Sequence, residues 1–290
     1  MSMSTIAPEE ATLYVVATPI GNLEDMTFRA IDTLKEVDLI AAEDTRHTGK
    51  LLQHFQIKTP QISYHQHNQQ KRTPELVEKL QQGRAIALVT DAGMPGISDP
   101  GYELIKACVE ANILIVPIPG VSASIAALSA SGLPTNRFIF EGFLPAKSKE
   151  RKKRLEALAN SLLTIVLYES PHHLRTTLKD LANCLGEERK IVLARELTKL
   201  HEEFWRGTIG GAIINYEKRE PKGEFTLVIS GAEVEKANLS ESVIKAELKE
   251  LIEGGMSRSQ ASRQLAKQTN LSRHQVYQIA LTIVLGEKLN

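Results

Sequence analysis

Hydrophobic residues in the first 130 positions occur in short continuous runs that are separated by amphipathic stretches. Runs such as residues 13–17 are typical of buried strands, whereas the spaced apolar positions Phe28, Ile31 and Leu34 predict a helix. The pattern predicts strands at 13–17, 39–42, 85–90 and 113–117, and helices at 27–36, 48–55, 74–82, 102–111 and 122–131. Pro74 suits a first helical turn, and Gly83 suits the position after a last turn. Strands that alternate with helices predict a mainly parallel sheet with helices on both faces.

The pattern changes after Gly132, where the predicted strands lie closer together. Strands are predicted at 138–143, 163–168, 190–194, 205–209 and 225–230, with helices ending at 158 and spanning 172–185 and a turn-rich segment before the last strand. This arrangement predicts a second α/β unit with more antiparallel pairing. A polar linker at 232–240 precedes three predicted helices at 243–252, 257–268 and 272–285, of which the last two have Ser257 and Ser272 as N-caps. Their spacing resembles a helix-turn-helix, although three short helices are also a common packing device.

These patterns divide the chain into three parts: an N-terminal α/β domain at 12–124, a second α/β domain at 125–232, and a helical C-terminal domain at 240–290. The hydrophobic fraction of 42% and charged fraction of 24% are those of a soluble globular protein. Cys108 and Cys184 show no disulfide framework or metal spacing, which favours buried thiols in a reducing cytosol. Residues 113–133 are too often interrupted by Pro, Gly and Ser for a membrane span, and the N-terminus does not have the pattern of a signal peptide. We therefore expect a cytoplasmic protein without a membrane contact.

The chemistry of the first domain is concentrated in a loop at 91–101, which reads Asp-Ala-Gly-Met-Pro-Gly-Ile-Ser-Asp-Pro-Gly. Such a loop after a parallel strand lies where open α/β sheets bind ligands. Its glycines permit close approach of the backbone, and Asp91 or Asp99 could accept hydrogen bonds from a ligand. A purely structural crossover loop is the alternative. Loops at 18–22 and 119–123 fall at equivalent strand ends, and none of the three has the glycine spacing of a dinucleotide or P-loop site.

Together, seven segments resemble the tetrapyrrole methylase superfamily, and within it the branch that methylates ribosomal RNA. They are residues 17–22, 42–46, 91–101, 119–123, 142–145, 168–172 and 194–199, and the resemblance spans about residues 12–232. It implies a homodimeric α/β protein with two domains and S-adenosylmethionine in the cleft between them, to which the sequence pattern adds the small helical tail. It also implies 2′-O-methylation of a cytidine ribose in the decoding region of small-subunit ribosomal RNA, either free or in the assembled subunit. Tetrapyrrole-methylating relatives carry a glycine-rich first loop, and its replacement here by Thr18-Pro19-Ile20-Gly21-Asn22 argues against a tetrapyrrole acceptor.

The resemblance also implies a set of residues that contact the cofactor. Carried onto this sequence, they are Pro19, Gly21, Asp91, Gly93, Met94, Ile97, Ser98, Asp99, Ser122, Ala123, Phe143, Leu144, Tyr168 and Ala194.

A ribose hydroxyl is a weak nucleophile, so its methylation should be helped by a base or a polarising cation. The candidates are Asp44, His67, Glu169, Glu196 and Lys199, with Arg46 and Arg195 as phosphate-gripping groups. The sequence does not select a base among them. Asp44 and Arg46 could instead form a helix cap and a salt bridge, and Arg195 and Glu196 an internal ion pair. His65 and His67 have no third ligand nearby, which favours a surface loop or an RNA contact over a metal.

A local concentration of positive charge stands out because Lys plus Arg and Asp plus Glu both number 35 in the whole chain. Six of the eight residues at 147–154 are basic, namely Lys147, Lys149, Arg151, Lys152, Lys153 and Arg154. A solvated helix face is one interpretation, and a phosphate-binding patch for RNA is the one we favour. A weaker basic surface is expected in the tail from Arg258, Arg263, Lys267, Arg273 and His274.

Two other functions remain open at this point. One is a methylase of a tetrapyrrole or of a modified protein side chain that uses the same cofactor site. The other is a non-catalytic RNA-binding module, which need not bind S-adenosylmethionine.

Overall fold

The computed structural model describes residues 11–233, 239–266 and 268–283, and the chain divides into two units after Ala232. Within the described residues, none of the helices is both long and apolar enough to span a bilayer. Cys108 is buried, Cys184 is partly buried, and both are free thiols.

The first half of the larger unit is a five-stranded sheet in the order β3-β2-β4-β1-β5, and every neighbouring pair is parallel. Its elements are β1 (Thr12–Val16), α1 (Phe28–Glu36), β2 (Leu39–Ala42), α2 (Thr45–His54), β3 (Gln61–Ser63), α3 (Gln69–Gln81), β4 (Ile86–Val89), α4 (Tyr102–Glu110) and β5 (Leu114–Ile118). Leu34 of α1 and Leu52 of α2 pack with Ile40 on one face. Leu76 of α3 and Leu104 of α4 lie in a separate core on the other face. The predicted parallel sheet with helices on both faces is confirmed.

The second half is another five-stranded sheet in the order β6-β7-β10-β8-β9, in which only β6 and β7 are parallel. Its elements are α5 (Ala123–Ser131), β6 (Phe138–Phe143), α6 (Ser148–Leu158), β7 (Thr164–Glu169), α7 (Leu174–Leu185), β8 (Lys190–Arg195), β9 (Glu203–Thr208), α8 (Ile209–Lys218) and β10 (Phe225–Ile229). Helices α6, α7 and α8 share one core with this sheet. Helix α5 follows directly on β5 but packs through Ala127 and Leu128 on the opposite face of the second sheet. The expected antiparallel content is confirmed.

The smaller unit contains α9 (Glu241–Glu253), α10 (Arg258–Ala266) and α11 (Arg273–Leu281). Its core is formed by apolar side chains from all three helices, including Ile244, Leu265 and Val276. Ser272 caps α11 by accepting from the Gln275 amide, and the Gln275 side chain accepts from the Ser272 amide in return. This reciprocal pair satisfies two amides that the first helical turn leaves without a partner. The predicted helical tail and the N-cap at Ser272 are confirmed.

Two helices begin earlier than the sequence pattern predicts. Helix α2 begins at Thr45 because the Asp44 side chain accepts from the Arg46 amide at 2.8 Å and so caps the helix. Helix α3 begins at Gln69, which places Pro74 inside the helix rather than in its first turn. The Asn68 side chain accepts from the His65 amide and donates to Ser63. These bonds fix the turn that ends at Asn68, and the helix starts five residues before the proline, so the prediction based on Pro74 was wrong.

Two elements escaped the sequence analysis. Helix α8 occupies the segment that was expected to be turn-rich. Gly210 and Gly211 near its start weaken the helical pattern, but Thr208 caps it by accepting from the Gly211 amide at 3.1 Å. Ile209 and Tyr216 then turn towards the core. Strand β3 has only three residues, which is too short for a hydrophobic pattern to appear.

Candidate functional site

The loops that follow β1, β4 and β5 meet at one edge of the first sheet. Thr18 and Gly93 exchange two backbone hydrogen bonds of 3.0 Å, and the Thr18 hydroxyl donates to the Thr90 carbonyl at 2.9 Å. The loop after β5 lies against the end of β1, because a Cβ built on Gly120 would be only 2.7 Å from the Cβ of Ala17. The predicted convergence of three loops is confirmed. It follows from the parallel topology, which brings the carboxyl ends of all these strands to the same edge.

The loop at 91–101 is held in a conformation that depends on glycine. Gly101 has a φ of +145°, and a Cβ there would lie 2.9 Å from the Gly96 amide nitrogen. The Gly96 amide donates to the Pro100 carbonyl at 3.1 Å and closes the loop on itself. Ser98 is also left-handed, with a φ of +65°. This strained backbone exposes Ile97 and Ser98 while Gly93 stays buried.

The second half of the unit contributes an aromatic pair and a helix N-terminus to this loop. Gly142 of β6 lies directly against Ser98, because a Cβ built on Gly142 would be only 2.8 Å from the Ser98 hydroxyl oxygen. The Tyr168 hydroxyl accepts from the Ser124 amide at 3.2 Å, and its ring lies 5.6 Å from that of Phe143. Ser98, Ser122, Ala123, Phe143 and Tyr168 of the predicted cofactor set are therefore brought together.

Three other residues of that set lie largely in the protein interior. Ala194 is buried within β8, Met94 packs against the core of the first sheet, and Leu144 packs against that of the second. These three side chains therefore support the loops from the interior and do not present an exposed surface to a ligand.

A pocket of about 480 Å³ has the first loop in its wall. Pro19, Gly21, Asp91 and Lys199, which were predicted as site residues, are part of its wall. The remaining lining residues are Thr18, Ile20, Leu23, His47, Thr48, Lys50, Leu51, Thr90, Ala92 and Glu224. His47 and Lys50 follow Arg46 along α2 and could have been inferred from the helical spacing. Glu224 immediately precedes β10, and no local sequence signal marks it.

Lys199 is bound by two carboxylates at the pocket wall. Its Nζ lies 2.9 Å from Glu196 Oε1 and 2.9 Å from Glu224 Oε2. Burial would lower the pKa of Lys199, but the hydrogen bonds to Glu224 and Glu196 outweigh burial and raise it. Burial likewise would raise the pKa of Glu196, but the Glu224 amide and Lys199 lower it on balance. Lys199 is therefore a fixed cation, and Glu196 is a paired carboxylate with reduced basicity.

Two of the predicted bases are engaged elsewhere. Asp44 caps α2 and pairs with Arg46 at 2.8 Å, and these hydrogen bonds hold the pKa of its carboxyl far below the usual range. The alternative of a helix cap with a salt bridge is what the structure shows. Glu169 is only 7% exposed, and its carboxylate accepts from the Thr177 hydroxyl and the Ser170 amide. Its prediction as an accessible base was wrong because the end of β7 turns this side chain into the core.

Arg195 and His67 are not placed where an acceptor would be bound in the pocket. The Arg195 guanidinium donates to the carbonyls of Lys222 and His201 and lies 3.6 Å from Glu203, so it is used inside the protein. Its prediction as a phosphate-gripping group was therefore wrong. His67 is exposed in the turn before α3, with its ring 5.9 Å from that of His65. No group of three metal-binding side chains occurs among the described residues.

Carboxylates accumulate behind the loop at 91–101. Glu43 accepts from the Asp91 amide, and Asp91 accepts from the Asp44 amide, both at 3.2 Å. Burial raises the pKa of Glu43. Burial, followed by the charges of Glu43, Asp91 and Glu224, raises the pKa of Asp99 to about 7. A positively charged ligand would relieve this repulsion.

The raised pKa of Asp99 predicts a pH-dependent stability. In the unfolded chain an aspartate ionises near pH 4, whereas folded Asp99 ionises near pH 7. Between these values only the unfolded chain has lost the proton, so the stability of the wild type relative to Asp99→Asn falls as the pH rises and levels off above pH 7. Thermal unfolding of both proteins between pH 4 and 9 measures this difference. A difference in Tm that does not change with pH would contradict the assignment.

The basic run at 147–154 divides into an exposed and a buried part. Lys147, Lys149, Lys152 and Lys153 are exposed around the first turns of α6. Arg154 is partly engaged by Glu141 at 2.5 Å. Arg151 is only 5% exposed, pairs with Asp180 at 2.7 Å, and donates to the carbonyls of Pro145 and Ala146. Its prediction as an RNA contact was wrong, because it lies on the same face of α6 as buried Leu155 and Leu158.

In the tail, Arg263, Arg273 and His274 are exposed and Arg258 is partly buried, whereas Lys267 lies outside the described residues.

Comparison with known proteins gives a consistent result. Residues 12–213 match the family model described as Tetrapyrrole (Corrin/Porphyrin) Methylases. The chain is 61% identical to Ribosomal RNA small subunit methyltransferase I of Synechocystis sp., covering 93% of this chain and 98% of that protein. It is 47% identical to the protein of the same name from Haemophilus influenzae, covering 93% and 96%. The predicted resemblance is confirmed.

Solved structures confirm the fold. The methyltransferase CobJ superposes with a TM-score of 0.59 at 18% identity, covering 78% of this chain and 96% of that chain. Uroporphyrin-III C-methyl transferase from Thermus thermophilus, complexed with S-adenosyl homocysteine, gives a TM-score of 0.54 at 17% identity, covering 76% and 96%.

Proposed function

Because this chain belongs to the tetrapyrrole (corrin/porphyrin) methylase family, we propose that it transfers a methyl group from S-adenosylmethionine to a ribose 2′-hydroxyl of small-subunit ribosomal RNA. The observation that carries the proposal is the 61% identity, over 93% of the chain, to a relative named for methylation of that RNA. The family resemblance specifies the acceptor further as a cytidine in the decoding region.

The residues around the loop at 91–101 fit the cofactor. S-adenosylmethionine carries a sulfonium and an ammonium, and Glu43, Asp91 and Asp99 supply negative charge at this edge of the sheet. The first amides of α5 and the Phe143–Tyr168 pair offer hydrogen bonds and an apolar face beside Ser98. When bound, the cofactor supplies an electrophilic methyl group for in-line displacement.

The contribution of the chain to the reaction is positioning and charge. Lys199 lines the pocket as a cation fixed by two carboxylates, so it can orient and polarise an acceptor oxygen without reorganising. The acceptor oxygen must lie about 3–3.5 Å from the methyl carbon with its lone pair aligned, which a rigid loop edge can enforce. Asp91 and Glu224 are the carboxylates that line the same pocket, and because Glu224 is paired with Lys199, we assign the contact with an acceptor hydroxyl to Asp91.

Two further properties belong to the proposal. The enzyme acts in the cytoplasm as a homodimer, and a partner surface is supported by the exposed apolar side chains of Leu114 on the edge strand β5 and of Val109 on α4, which packs beside β5. The tail provides a second RNA contact, because residues 254–283 contain three arginines and no Asp or Glu. The acidic residues of this unit's described helices lie on α9.

The test is transfer of labelled methyl groups to small ribosomal subunits purified from cells that lack this protein. We expect label in one ribose, located by nuclease digestion, and the same assay on free RNA distinguishes the two forms of the acceptor. Label on a tetrapyrrole or a protein, or binding of RNA without affinity for the cofactor, would overturn the proposal in favour of one of its rivals.

The basic part of α6 gives a separate prediction. The variant Lys149→Ala/Lys152→Ala is expected to reduce the salt dependence of RNA binding by about 1.5 in the slope of log K against log salt concentration, because each phosphate contact contributes about 0.7–0.9. Cofactor affinity should not change. The matched control is Lys35→Ala/Lys58→Ala, which removes two exposed lysines from the opposite edge of the first sheet. Equal slopes for the two variants would contradict an RNA contact at α6.

A further inference from the structure

The exposed face of α2 carries cationic side chains to which the methylase chemistry assigns no role. Helix α2 starts at the carboxyl end of β2, so its first turns stand at the edge of the sheet where the loops converge. His47 and Lys50 are three residues apart and therefore share one side of the helix. Both are exposed, and both line the pocket together with Pro19, Asp91 and Lys199.

The positive charges at the pocket differ in whether they are already neutralised. Lys199 is already paired with the carboxylates of Glu196 and Glu224, each at 2.9 Å. Arg46 precedes His47 on α2 but is outside the pocket lining, and it is paired with Asp44. Lys50, in contrast, has no carboxylate within 4.0 Å among the described residues. Lys50 is therefore the cation at this pocket that is open to an anion.

In an RNA acceptor, the 3′-phosphate is the anion closest to the 2′-hydroxyl that is methylated. A ribose 2′-hydroxyl and the 3′-phosphate of the same nucleotide are attached to neighbouring ring carbons. A pocket that receives the hydroxyl beside Lys199 and Asp91 must therefore face the 3′-phosphate with an adjacent wall. The wall formed by α2 is the one that presents an uncompensated cation, Lys50, and His47 adds a ring N–H that can donate a hydrogen bond.

We propose that Lys50 and His47 bind the 3′-phosphate of the nucleotide whose 2′-oxygen is methylated. This inference rests on the proposed function and assigns the pocket to the acceptor, so Pro19, Gly21 and Asp91 of the predicted cofactor set would contact the acceptor instead, with the cofactor on the side of Ser98 and Tyr168. It makes α2 a clamp for the reacting nucleotide, distinct from the lysines of α6 that contact more distant backbone.

The first experiment compares Lys50→Ala with Lys58→Ala in methyl transfer to small subunits. Lys58 is an exposed lysine that follows α2 and lies at the opposite edge of the sheet. We expect Lys50→Ala to lower kcat/KM about tenfold, mainly through KM, with an unchanged Tm and unchanged cofactor affinity. Lys50→Arg should retain most of the activity, and Lys58→Ala all of it. Equal kcat/KM values for Lys50→Ala and Lys58→Ala would overturn the inference.

The second experiment locates the phosphate. A short RNA that contains the target nucleotide is prepared with a neutral methylphosphonate at its 3′-phosphate, and its binding is measured to the cofactor-loaded enzyme. The replacement should weaken binding to the wild type several-fold but have little further effect on Lys50→Ala, because the same interaction is already lost. Additive effects would place Lys50 at another phosphate and overturn the inference. If the wild type labels no RNA in the first experiment, it is the proposed function that fails instead.

Discussion

Replacement of Gly21 by alanine is expected to lower the rate of methyl transfer by about 100-fold, because displacement of a catalytic group by about 1 Å has effects of that size. A Cβ at this position would overlap Lys199 Cγ and lie 3.0 Å from the Thr198 hydroxyl oxygen and 3.2 Å from the Leu197 carbonyl oxygen. Gly21 belongs to the first loop, whereas the three atoms belong to the loop after β8. The contact therefore sets the distance between the two halves of the pocket.

Lys199 cannot move away from the added methyl group without a cost in free energy. Its ammonium is held at 2.9 Å by both Glu196 and Glu224, and its loop contains two residues with left-handed backbone, Glu196 at a φ of +51° and Thr198 at +64°. A strained loop of this kind persists only while its neighbours hold it. The methyl group should therefore move the ammonium out of the pocket wall rather than only rotate a side chain.

Single-turnover transfer at saturating cofactor and RNA measures this effect. Gly211→Ala is the control, because its Cβ would meet nothing closer than 3.4 Å and it lies in α8. A rate for Gly21→Ala within about threefold of the control would show that the contact does not position Lys199.

The largest effect on stability is expected from Arg151→Ala, which should lower the free energy of unfolding by about 3–5 kcal/mol. The side chains of Arg151 and Asp180 are 6% and 9% exposed, so the substitution leaves a buried carboxylate without its partner. It also removes two hydrogen bonds to the carbonyls of Pro145 and Ala146, which hold the segment between β6 and α6.

Denaturant unfolding of three variants tests this explanation. Lys153→Ala, two residues along the same helix but exposed, should change the stability by no more than about 0.5 kcal/mol. Arg151→Met/Asp180→Leu should recover most of the loss, because it removes both charges together. If Arg151→Ala behaved like Lys153→Ala while RNA binding fell, Arg151 would be a surface contact after all.

The sequence predicted the architecture well because most of it follows from local patterns. Buried runs and amphipathic stretches alternate clearly, and the order of strands and helices is enough to predict the parallel sheet. Arg151 shows where that reasoning failed. The charge run concealed a helical spacing, since positions 151, 155 and 158 are the buried ones in α6.

Only those parts of the candidate site that directly follow a strand could be predicted from the sequence. The loops at 18–22, 91–101 and 119–123 could be placed at one edge because each directly follows a strand. Glu224 reaches the pocket only through the long-range pairing of β10, and no spacing in the sequence encodes that. Glu169 shows a different limit, because the pattern places it at the end of β7 but does not show that its side chain turns inward to accept from the Thr177 hydroxyl.

The position of β10 has a consequence for the synthesis of this chain. The strands of the first sheet are complete once Ile118 has been made, whereas the middle strand of the second sheet is the last of its strands in the sequence. Strands β7 and β8 each pair with β10 and have no bond to each other that could hold them in register beforehand. As the chain leaves the ribosome, the first sheet can therefore form early, but the second must wait for residues 225–229. The same late segment begins beside Glu224, which fixes Lys199, so the enzyme acquires its pocket only when nearly the whole of the larger unit has emerged.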